Sequence, residues 1–103
     1  MAKDQRAIEI TEDLKNVMGV MNGRYPNFVR GETIYKAMLG VNTEYTKQRL
    51  IRDLSYLNQS GYVRYRPLPG LDDEGISVNR CTFALTAEGY EVANRLIEDK
   101  ALE

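Results

Sequence analysis

Residues 50–65, LIRDLSYLNQSGYVRY, change character halfway along. Leu50, Leu54 and Leu57 fall within about 60° of one another at about 100° per residue, which makes them the buried stripe of a helix. Gly61 can take a positive φ and end that helix. Beyond it Val63 and Tyr65 alternate with Arg64 and Arg66, the period of a half-buried strand. A helix that runs straight into a strand must share a core with it, and Arg52, Arg64 and Arg66 are spread over both elements.

Upstream, VNTEY (41–45) is a turn in which Asn42 or Thr43 is expected to cap the helix, giving it bounds of about 43–59. ETIYKAML (32–39) supplies Ile34, Ala37 and Met38 for a shorter helix over about 31–39 that stops at Gly40. RYPNFVRG (24–31) holds a proline and a short extended piece over about 28–30. The first helix, about 5–21, takes Asp4 as its N-cap and carries Ile10, Leu14, Val17, Met18 and Met21 on one stripe. Asn22 and Gly23 end it.

Downstream, PLPGLDDEGISVN (67–79) combines two prolines, two glycines and three acids, the composition of an exposed loop. In NRCTFALT (79–86) the residues Cys81, Phe83 and Leu85 alternate with Arg80, Thr82 and Ala84, a strand over about 80–85 whose inner face carries the cysteine. With the strand at about 62–66 it forms an antiparallel hairpin. Thr86 then caps a last helix over about 86–101, striped by Tyr90, Ala93, Leu96 and Ile97.

A length of 103 residues suits one domain spanning 1–103, large enough to build its own core. The start, MAKDQRAIEITEDL, lacks an apolar h-region, and no stretch approaches a membrane span, so a cytoplasmic protein without a membrane partner is expected. A single cysteine forms no internal disulfide, and with no histidine there is neither a Cys/His metal site nor an imidazole base. No Gly-rich phosphate loop, nucleophile motif or clustered acid pair is visible, so neither an enzyme nor a cofactor is expected. The net charge is −1, but residues 24–66 hold eight bases against three acids while residues 67–103 hold three against eight. A basic middle can attract phosphates while the remainder keeps the chain soluble.

LSYLNQSGYV (54–63) resembles the leucine-x-x-leucine-x-x-x-glycine-apolar-valine exit from the recognition helix of winged helix-turn-helix regulators. FALTAEGYEVA (83–93) resembles their leucine-threonine-x-x-glycine approach to the last helix, and MLGVN (38–42) sits where their central turn begins. The order is similar to that of the MarR, PadR and ArsR groups, over about residues 28–97. The resemblance implies an α+β winged-helix domain: a three-helix core, an antiparallel wing of two or three strands and a C-terminal helix. It also implies a bacterial or phage transcription regulator that binds double-stranded DNA. Two features depart from it. The chain from Gly40 to Gly61 is about one helical turn longer than usual, and the wing tip LDDEG (71–75) is acidic, so it is not expected to insert into a minor groove.

Measured from Leu54, residues Tyr45, Gln48, Arg49, Arg52 and Tyr56 fall about 120–200° away on the helical wheel and are expected to face outward. Arginine forks onto guanine and glutamine onto adenine, so Gln48, Arg49 and Arg52 are the expected base contacts, with Thr43 and Tyr45 gripping the backbone. Lys36 and Arg30 would add positioning contacts, and Arg64 and Arg66 would clamp flanking phosphates. The apolar stripes of the terminal helices serve either the protein's own core or a homodimer contact. The alternative function is a winged-helix protein–protein module, which the acidic wing and a pI near 5.5 would suit.

Overall fold

The structure, a computed structural model, describes the backbone of residues 2–102 and the side-chain surroundings of residues 12–95. In chain order the elements are α1 (Ala2–Asn22), β1 (Val29–Arg30), α2 (Gly31–Val41), α3 (Lys47–Gln59), β2 (Val63–Pro67), β3 (Cys81–Leu85) and α4 (Ala87–Leu102). The strands form one antiparallel sheet in the order β1-β3-β2, in which Val29 faces Phe83 and Phe83 faces Tyr65. This is the winged helix-turn-helix: α2, a turn and α3, followed by a hairpin whose loop is the wing.

The alternation read from the sequence decides which sheet face is buried. Val29, Val63, Cys81, Phe83 and Leu85 point inward and meet Val17, Met18 and Met21 of α1, Ile34 and Met38 of α2, Leu50, Leu54 and Leu57 of α3, and Ala93 of α4. Removing such side chains from water is worth about 1.5–3 kcal/mol each, and the three helical stripes can collect it only by closing on the sheet. Ala37, expected on the inner stripe of α2, is exposed. Ile10, Leu96 and Ile97 lie outside the residues whose side chains are described.

Two glycines explain how the last elements join. Gly61 has φ +82°, ending α3 as expected. At Gly89, in the first turn of α4, a Cβ would run into the Tyr62 carbonyl, so only glycine lets this helix lie against the start of the hairpin. Thr86 caps α4 as expected, its Oγ1 accepting the Gly89 N–H at 3.0 Å.

The helix boundaries differ from expectation around the turn. α1 begins at Ala2, so Asp4 lies inside it instead of capping it. α2 continues through Gly40 to Val41, and Asn42 is its C-cap, donating its N–H to the Met38 carbonyl. α3 begins at Lys47, capped by Thr46, whose Oγ1 accepts the Arg49 N–H at 3.1 Å. The extra residues between Gly40 and Gly61 therefore lengthen α2 and the turn, not α3. The physical reason is Tyr45, only 2% exposed: burying its ring holds residues 42–46 out of helix.

Candidate functional site

The outward arc of α3 carries Gln48, Ile51, Arg52, Tyr56 and Gln59, all exposed, with Ser55 half-buried among them. Leu50, Asp53, Leu54 and Leu57 form the opposite, buried arc. Gln48 and Tyr56 thus face outward as expected. Most of this arc is uncharged.

Arg49 and Arg52 are held against α1. Asp13, with a side chain 7% exposed, accepts on Oδ2 from Arg49 Nε at 3.1 Å, Arg49 Nη2 at 2.7 Å and Arg52 Nη2 at 3.1 Å. Asp53, 1% exposed, accepts on Oδ1 from Arg52 Nε at 3.1 Å and on Oδ2 from the Tyr45 hydroxyl at 2.8 Å. The Arg49 guanidinium also lies 5.2 Å from the centre of the Tyr45 ring. Two carboxylates thus compensate two guanidiniums, which is what buried charge requires. Burial pushes the Asp53 carboxyl above its ordinary range, although its bonds to Tyr45 and Arg52 pull the other way. Burial, reinforced by the bond to Asp53, lifts the Tyr45 phenol well above the usual tyrosine range.

Tyr45 therefore does not face outward as expected. It precedes α3, so the helical wheel does not apply to it, and its ring is core. Arg49 departs from the expected outward direction as well: its side chain is 21% exposed, because α1 packs on that flank of α3. Arg52 keeps partial exposure at 44% but is tied to both acids. Thr43 is exposed in the turn, not on α3, and Lys36 is exposed on α2.

A second cationic group lies on the outer face of the sheet. The register aligns Arg30, Thr82 and Arg66 in one row across the three strands, with Arg64 opposite Ala84 in the next. The Phe28 ring sits under both β2 arginines, 4.0 Å from the Arg66 guanidinium and 5.4 Å from that of Arg64. Stacking on a phenyl face orients a guanidinium while leaving its N–H edges open. Arg30, Arg64 and Arg66 are exposed and make no ion pair among the described residues. Lys47, at the start of α3, reaches the base of the wing, where Nζ donates to Asn79 Oδ1 at 3.1 Å.

The acidic wing tip folds back on its own stem. Asp73 accepts from the Tyr65 hydroxyl at 3.1 Å and from the Gly75 N–H at 3.0 Å, and Glu74 lies 3.6 Å from Arg80. Among the described residues no group of three or more His, Cys, Asp or Glu side chains is arranged to hold a metal ion, and no helix is long and apolar enough to cross a membrane.

Sequence reasoning missed Asp13, Asp53, Phe28, Ser55 and Gln59. A signal existed for Asp53, which sits inside the 50-54-57 leucine stripe. Asp13 precedes the buried Val17 by one helical turn, which places it on the inner side of α1. Phe28 gave no signal, because only strand pairing brings it to β2.

The chain is similar to a solved structure described as the X-ray structure of a PadR-like transcription factor from Bacteroides fragilis, with a TM-score of 0.76, 12% identity, and coverage of 96% of this chain and 89% of that one. No protein-family model and no curated protein sequence matches the chain. At that identity the likeness is one of fold, and it extends over nearly the whole of both chains.

Proposed function

We propose that this chain binds double-stranded DNA sequence-specifically and regulates transcription, with the outward arc of α3 in the major groove. The observation that carries this reading is the open arc of Gln48, Arg52, Ser55, Tyr56 and Gln59, in a fold whose outer sheet face carries arginines without acid partners among the described residues. A helix fits the major groove of B-DNA, and amide, hydroxyl and guanidinium groups are the donors and acceptors that distinguish base edges there. Arg30, Lys36, Lys47, Arg64 and Arg66 supply phosphate contacts, and Thr43 adds a hydroxyl at the turn. Arg49 acts from behind, as a tie between α3 and α1.

The test is selection of bound duplexes from a random library at two salt concentrations. A consensus should emerge, and its affinity should fall with a log–log salt slope of about −4 to −5, the signature of about four to six neutralised phosphates. The rival reading, a protein–protein module, draws on Ile51 and Tyr56, 36% and 57% exposed on the same arc. It requires no consensus and no salt dependence on DNA.

A further inference from the structure

Arg52 is the cation of the open arc of α3, and the structure shows how its donors are divided. Nε and Nη2 are taken by two acids from two different helices, Asp53 on α3 and Asp13 on α1, each at 3.1 Å. Nη1 donates to no residue among those described, and 44% of the side chain is open to solvent. Nε and Nη2 are therefore fixed from the protein side, Nη2 lying 3.1 Å from Asp53 Oδ1 as well, and Nη1 is offered outward. A guanidinium held in this way differs from a free surface arginine in two respects. Its charge is compensated, which weakens its attraction to any phosphate. Its direction is set, which favours a partner that presents an acceptor at one fixed place, such as O6 or N7 on the guanine edge.

We infer that Asp13 is a specificity-determining positioning residue, acting through Arg52 to hold the guanidinium as a charge-compensated, directed donor that reads a base edge through Nη1 and is kept from phosphates. The inference rests on the DNA-binding reading above. It makes α1, which offers no surface to the duplex in that reading, a determinant of which sequences α3 prefers. Arg49 shares Asp13 and is turned further inward, so its contribution is to hold Asp13 in place.

The experiment measures binding of the full chain to its selected duplex and to a scrambled duplex of equal length, across a salt series, for the wild type, D13N, R52Q, R52K and D13N/R52Q. Thermal melting checks that each variant is folded. D13N should bind the scrambled duplex several-fold more tightly, with a salt slope steeper by about 1, because one cation has been released to the phosphates. Its preference for the selected duplex should fall by about tenfold, the scale of one directed base contact. In the R52Q background D13N should alter neither slope nor preference. If D13N weakens both duplexes equally at unchanged slope, Asp13 is only a structural tie and the inference is wrong. A slope change that persists in R52Q equally overturns it, since Arg52 would not be the route. R52K keeps the charge without the planar, two-point-anchored guanidinium, so it decides the matter even if D13N fails to fold: it should hold scrambled-duplex affinity within about twofold while losing preference, and unchanged preference would overturn the inference. A wild type that binds neither duplex defeats the DNA-binding reading itself, a result distinct from wild-type binding that D13N and R52K leave unaltered.

Discussion

Tyr45 shows how one side chain can relocate a helix boundary. Its ring fills the space between α2 and α3, and its hydroxyl is one of the donors that satisfy Asp53. Tyr45→Phe keeps the ring and removes the donor, leaving a buried carboxylate oxygen short of a partner; it should cost about 1–3 kcal/mol of stability, read from urea unfolding. Asp53 makes a second prediction with a definite sign. Its carboxyl is raised in the folded state, so the native protein binds a proton there at a pH where the unfolded chain has lost it. The stability that this adds is fully present below the ordinary aspartate value near 3.8 and is lost as pH rises through the raised value. Asp53→Asn removes the linkage, so the stability advantage of wild type over the variant should be larger at about pH 4 than at about pH 7. Equal differences at both pH values would show that Asp53 does not titrate abnormally.

At the level of elements, α3 is defined by its cap as much as by its leucines. Thr46 satisfies the free N–H of Arg49 in the first turn of the helix, and Thr46→Ala should destabilise the fold by about 1 kcal/mol while the leucine stripe still forms. The leucine stripe was legible from spacing alone, and so were the β2 alternation and the helix stop at Gly61. The cap was not, because Asn42, Thr43 and Thr46 are all chemically able to cap; the choice among them follows from where the Tyr45 ring packs. The sheet face offers a parallel case. Arg64 and Arg66 were legible as outward, but their common support on Phe28 depends on β1 pairing with β3. Phe28→Ala should leave both charges present while loosening their direction, and should weaken the selected and scrambled duplexes alike by a few-fold in a fluorescence binding assay.

Over the whole molecule, the basic middle of the chain resolves into two groups of different kind. Arg49 and Arg52 are matched by Asp13 and Asp53 and add no net charge where they lie, whereas Arg30, Arg64 and Arg66 stand together without acid partners among the described residues. The long-range attraction for phosphate should therefore come from the sheet. Replacing all three sheet arginines by glutamine should reduce the magnitude of the salt slope by about 3 and leave the melting temperature near that of the wild type. A slope unchanged by the triple substitution would place the phosphate contacts elsewhere.

Element order, the buried positions Ile34, Met38, Leu50, Leu54 and Leu57, and the wing were determined by the sequence itself, because each is a pattern among neighbours a few residues apart, and periodicity reports such neighbours directly. Only the tertiary structure decided which polar residues remain available. Arg49 and Arg52 meet Asp13 across 36 and 39 positions of sequence, and Tyr45 turns inward to a carboxylate that the leucine stripe had carried into the core. A charge or a ring is spent or left free according to what a distant element places beside it, and spacing along one helix holds no record of that.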